Sequence, residues 1–150
     1  MLTPQQLIKK LKFEEYIDKD ILKTMPITKA SEIEFFKLDK YISDKDLPKE
    51  YESRNLIPDP YALLCYMVKH PKLIDEKEYI SCSWEIDNYI AFNLGGDERH
   101  VNVNRHHDDW NGYWWFGGVR KSLDSRKLGT NLELVNKITE TVERIVIDYA

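Results

Sequence analysis

The sequence predicts an α+β fold. It reads as an N-terminal helical segment, a four-stranded antiparallel β-meander over about 79–121, and a C-terminal helix packed on the sheet. All three lie in a single domain of residues 1–150. Three observations carry this reading. Proline and glycine are segregated, the six prolines between Pro4 and Pro71 and the six glycines between Gly95 and Gly129. From Tyr79 onward the apolar residues recur with period two, as a half-buried strand requires. Beyond Thr130 they recur with helical period instead.

The first helix is announced by Thr3, Pro4 and Gln6. Thr3 is a capping residue, Pro4 suits the first helical position, and Gln6 completes a capping box. Its apolar stripe is Leu7, Ile8 and Leu11. The stretch Ser31 to Ile42 fits either period, because Ile33, Phe35, Phe36, Leu38 and Tyr41 match both. A second clear helix begins at Asp59 and Pro60 and is stopped by Pro71. Tyr61, Leu64, Cys65 and Val68 share one of its faces.

The meander follows. Ile80, Cys82, Trp84 and Ile86 alternate with Tyr79, Ser81, Ser83 and Glu85. Asp87 and Asn88 are expected to make a two-residue turn. Ile90, Phe92 and Leu94 continue the alternation, and Gly95 to Glu98 supply the next turn. Val101 and Val103 then alternate with His100, Asn102, Asn104 and His106. Asn111 and Gly112 mark a third turn before the strand Tyr113 to Arg120. The closing helix has a capping box at Thr130 and Glu133 and a stripe of Val135, Ile138, Val142 and Ile145.

Composition narrows the classes of function. A net charge of −4 disfavours wholesale binding to nucleic acid or to an anionic membrane. Residues 99–127 carry six bases against three acids, a window of +3, which leaves −7 for the rest. No apolar run reaches the roughly 20 residues of a membrane span, and Met1 to Lys12 lacks a signal-peptide core. Two cysteines, Cys65 and Cys82, make no disulfide framework; reduced thiols and a cytoplasmic location are expected. Sixteen lysines against six arginines suit an AT-rich coding sequence, bacterial or phage.

Chemistry-bearing residues concentrate between Arg99 and Lys121. Three of the four histidines and three of the four tryptophans lie there. On a strand, His100, Asn102, Asn104 and His106 point to one face. Beside them stands the aromatic block Trp110, Tyr113, Trp114, Trp115 and Phe116, with Arg105 and Arg120 nearby. Aromatic and arginine side chains dominate contact sites. The expected function is therefore binding rather than catalysis. The expected contact residues are His100, Asn102, Asn104, Arg105, His106, Trp110, Tyr113, Trp115 and Arg120. The expected partner is a protein or a small anionic ligand.

Two alternatives stand beside it. A metal-dependent hydrolase or nuclease would use His106, His107, Asp108 and Asp109. His100 cannot join that cluster, because six strand residues span about 20 Å and zinc ligands lie about 2 Å from one ion. Single-stranded nucleic-acid binding is the other, through aromatic stacking beside arginine. No Gly-x-Ser-x-Gly elbow is present. Gly117, Gly118, Arg120, Lys121 and Ser122 match no phosphate loop. No metal and no cofactor is expected.

Overall fold

A computed structural model describes residues 1–29, 32–106 and 109–121. By its contacts the chain divides into two units, Met1–Arg120 and Lys121–Ala150. The elements described below belong to the first. The helix expected over residues 130–149 lies outside the described residues.

The fold is mixed α+β. Five helices are α1 (Pro4–Leu11), α2 (Lys19–Leu22), α3 (Leu47–Ser53), α4 (Pro60–Lys69) and α5 (Leu73–Lys77). The strands are β1 (Glu14–Ile17), β2 (Glu34–Lys37), β3 (Ile42–Ser43), β4 (Leu56–Pro58), β5 (Tyr79–Trp84), β6 (Asn88–Gly95), β7 (Glu98–Arg105), β8 (Asp109–Trp110) and β9 (Trp115–Arg120). Seven strands form one mostly antiparallel sheet in the order β1-β7-β6-β5-β9-β2, with β4 also paired to β9. The short strands β3 and β8 pair separately.

Local signals built α1 and α4 as expected, whereas α2, α3 and α5 were not foreseen. Thr3 Oγ1 accepts from the Gln6 N–H at 3.1 Å, and Gln6 Oε1 accepts from the Thr3 N–H at 2.8 Å. Leu7, Ile8 and Leu11 are the buried stripe of α1. Asp59 caps α4 by accepting from the Ala62 N–H at 3.0 Å, and it also accepts from the Thr28 hydroxyl at 2.9 Å. The helix α4 is more deeply set than a one-face stripe requires, with Ala62, Leu63 and Met67 buried as well. Within the ambiguous stretch, Glu34–Lys37 forms β2 and Ile42 begins β3.

The expected four-stranded meander is not formed. Three of its strands are consecutive neighbours, β5, β6 and β7, in the register Cys82–Ile90–Val103. The fourth, β9, does not pair with β7. It returns across the sheet to lie parallel to β5, pairing Trp115 with Ile80 and Phe116 with Ser81. The edge of β7 is taken instead by β1, also parallel, with Tyr16 beside Asn102. The reason lies between the strands. A tight hairpin joins adjacent antiparallel strands, whereas a parallel pairing needs a crossover. Residues 106–114 carry Trp110 and Trp114, and both bury on the sheet face, at 0% and 9% exposed. Crossing that face is how the segment buries them.

The first hairpin also departs from expectation. Asn88 is already paired with Trp84, so the connection is Glu85 to Asp87. Glu85 and Ile86 both have positive φ, 53° and 67°. A β-branched residue in the left-handed region is a backbone outlier. Ile86 is also 62% exposed.

The sheet separates two cores. On one face α1, α2, α4 and α5 pack over Ile80, Cys82, Ile90, Phe92, Val101 and Val103. On the other, α3 and the β3–β8 flap cover Ala91 and Phe116 with Leu47, Tyr51, Trp110 and Trp114. Among the described residues, this second layer reaches β6 and does not extend over the outer face of β7 and β1. Tyr16 at 55% exposed marks that open end.

Cys65 and Cys82 are both free thiols. Burial pushes the Cys82 thiol up to about 12, and burial also raises Cys65. The thiolate is the nucleophile, so neither is poised to react. In native protein near neutral pH, iodoacetamide is expected to leave Cys82 unmodified, and guanidinium unfolding should expose it. Peptide mapping by mass spectrometry reads the result. Alkylation of native Cys82 at the rate of an unfolded thiol would contradict its burial.

Candidate polar sheet face

Strand registry assembles the candidate site row by row. Asn93 lies opposite His100, Ala91 opposite Asn102, and Tyr89 opposite Asn104. From β1, Tyr16 sits beside Asn102 and Glu14 beside His100. Directly paired residues share a face, so these side chains all point away from the helical core. The alternation expected for β7 is present: Val101 and Val103 are wholly buried, Asn102 half-buried and Asn104 exposed.

His100 is the most constrained member. Its ring meets Tyr16 edge-on at 5.4 Å between centroids. Its Nε2 lies 3.3 Å from Glu98 Oε1. On the neighbouring strand stands Gly95, where an added Cβ would fall 2.9 Å from His100 Cε1. Gly95 thus makes room for the imidazole. Next along the face, Asn102 Nδ2 donates to Asn93 Oδ1 at 3.2 Å. That bond uses one donor of Asn102 and leaves an amide with further donor and acceptor capacity. The rim toward the flap is aromatic. Tyr79 stacks on Tyr113 at 4.3 Å and meets Trp114 at 5.2 Å, and Tyr113 is 45% exposed.

The structure sorts the expected contact residues into groups. His100, Asn102, Asn104 and Tyr113 belong to this face. Trp110 does not offer a surface: it is wholly buried, and its indole N–H donates to Asp44 Oδ1 at 2.6 Å. Trp115 stands on the opposite face, packed against the helical core with Lys77 Nζ 3.6 Å from its ring centroid. It therefore does not share a surface with His100. Arg120 is exposed but engaged, its Nε donating to Glu34 Oε2 at 2.7 Å. That hydrogen bond holds the Glu34 carboxyl below its ordinary value. Arg105 donates from Nε to Asn88 Oδ1 at 3.2 Å. His106 leaves the strand with φ 65°, and its Nδ1 lies 3.4 Å from Asp87 Oδ2. Asp109 begins β8 and is exposed. His107 and Asp108 lie outside the described residues, and among the described residues no three His, Cys, Asp or Glu side chains gather as a metal site.

Several members escaped the sequence reading, among them Asn93 and Tyr16. Asn93 was legible in the alternation of Tyr89, Ala91 and Asn93 against Ile90, Phe92 and Leu94. Tyr16 was signalled only weakly, by a short β-prone run after Lys12, whose φ of 61° ends α1. Among the described residues no helix is long and apolar enough to cross a membrane. Compared with known proteins, the chain matches no family model, no curated protein and no solved structure.

Proposed function

We propose that the chain is a binding protein and that the open sheet face is its contact surface. The observation that carries this reading is the uncharged amide row, Asn93, Asn102 and Asn104, set between the exposed rings of Tyr16 and Tyr113. Rigid aromatics with adaptable amides suit protein recognition, because tyrosine offers large contact area at low entropic cost. A protein is favoured over an anion by the state of the arginines. Arg99 is bound through two nitrogens to Asp75, at 3.0 and 2.6 Å. Arg120 is bound to Glu34 and Arg105 to Asn88. The charges of Arg99 and Arg120 are thereby compensated, which weakens the case for phosphate contacts.

The test is the double variant His100→Ser, Asn102→Ser. The variant removes the His100–Tyr16 ring contact and the Asn102–Asn93 hydrogen bond, so it should stay folded with a loss of about 1 kcal/mol. It should lose the partner that the wild-type chain recovers in a pull-down. A folded variant that keeps the partner would remove this face from the interface. An unfolded variant would make the row a structural polar layer, and the proposal would fail.

A further inference from the structure

A second site lies at the other end of β5. There the Glu85–Asp87 turn faces α3 and β4 across a cleft of about 220 Å³. An engineered apolar cavity of about 150 Å³ in another protein holds benzene, so this cleft has room for a ring with a small head group. Leu47, Tyr51 and Pro58 give it an apolar lining, and Trp84, whose indole packs in the helical core and donates to Thr24 Oγ1 at 2.9 Å, borders it from the end of β5. Two anomalies coincide here. The first is Ser83, which lines the cleft, is 9% exposed, and has a hydroxyl with no hydrogen-bond partner among the described residues. A buried hydroxyl without a partner costs about 1–3 kcal/mol, and such an atom in a folded protein calls for an explanation, such as a ligand. The second is Ile86 on the cleft wall, a β-branched residue at φ 67° and 62% exposed. Strained backbone of this kind clusters at ligand sites.

The charge of the wall selects the head group. Among the described residues, Asp44 and Glu85 are its carboxylates, and no lysine, arginine or histidine lines it. Asp44 accepts from the Trp110 indole, so it is held in place, and its field reaches Tyr89. Glu85 is exposed at the mouth, in weak contact with Asn88 Nδ2 at 3.5 Å. We propose that this cleft binds a small organic ammonium, its apolar body against Leu47, Tyr51 and Pro58 and its ammonium donating to Ser83 and Glu85.

The probe is benzylamine, titrated into the full chain and followed by ¹⁵N–¹H NMR, with benzyl alcohol and benzoate as neutral and anionic matches. Benzylamine should give saturable shifts at the amides of Ser83, Trp84 and Ile86. Benzyl alcohol should bind at least about tenfold more weakly, since it lacks the charge-assisted hydrogen bond to the Glu85 carboxylate. Benzoate should not bind. Ser83→Ala should weaken benzylamine about fivefold by removing an acceptor. Glu85→Gln, at an exposed turn, should weaken benzylamine and leave benzyl alcohol unchanged. It carries the test alone if Ser83→Ala does not fold. Shifts that stay linear, equal affinity for the three probes, or a folded variant that binds benzylamine as tightly as wild type would each overturn the proposal.

Discussion

Trp110→Ala is expected to destabilise the protein by about 3–5 kcal/mol, the range for removing a large buried aromatic. Trp110 is wholly buried on the outer sheet face. It meets Trp114 at 4.9 Å, Tyr89 at 5.5 Å and Phe116 at 5.9 Å, all edge-on. Its backbone pairs with Ile42, so it also anchors the β3–β8 flap. The loss should fall toward the upper part of the range for a second reason. Removing the indole takes a hydrogen-bond donor from Asp44, which is only 9% exposed, and a buried acceptor that loses its donor is costly. Guanidinium unfolding of the full chain measures the effect. A loss below about 1 kcal/mol, nearer the change typical of a surface site, would mean that the flap is not part of the cooperative core.

Gly118→Ala should cost about 1–3 kcal/mol, at the upper end for a single added carbon in a packed interior. An ideal Cβ at this position would lie 2.8 Å from Tyr51 Cε1 and 3.0 Å from the Ile57 carbonyl oxygen. The second contact is backbone on the paired strand β4, so it cannot swing aside as a side chain would. The ring is also tethered, because the Tyr51 hydroxyl donates to the Gly117 carbonyl at 2.7 Å. Burial raises the Tyr51 hydroxyl well above its ordinary value, keeping it a donor. The variant should therefore lower the unfolding midpoint and disturb the packing of Tyr51, visible as a change in near-ultraviolet circular dichroism. Wild-type stability would show that the strand can move away from α3. Gly117 and Gly118 are thus strand residues over which rings and side chains pack, not a loop that cradles an anion.

Much of the framework was legible because its signals are local. The capping box at Thr3 and Gln6 needs only a helix beginning there. Asp59 and Pro60 start α4, and Pro71 follows its end. The alternation through Ile80, Cys82, Ile90, Phe92, Val101 and Val103 marks three strands and gives the face each side chain takes, since a strand's period is two. The polar face of His100, Asn102 and Asn104 follows from the same period. The helices α2, α3 and α5, of four, seven and five residues, are too short for a helical period to register. Ile86 at positive φ contradicts local preference, and no pattern rule would place it there.

By itself, then, the sequence determined the period of each long element, the caps that begin the helices, and which side chains of β7 face together. The tertiary structure decided which strands become neighbours and which aromatics are seen by solvent. Five consecutive positions hold aromatic or turn residues from Trp110 to Trp114, and nothing local distinguishes a buried ring from an exposed one. Once the segment crosses the sheet, Trp110 and Trp114 close on the outer core, Tyr113 stays at the rim, and Trp115 turns to the helical side. Period-two alternation sorts side chains only into two sets. Which set meets the helices, and which meets water, depends on partners distant in the chain, because burial is a property of the surfaces brought together.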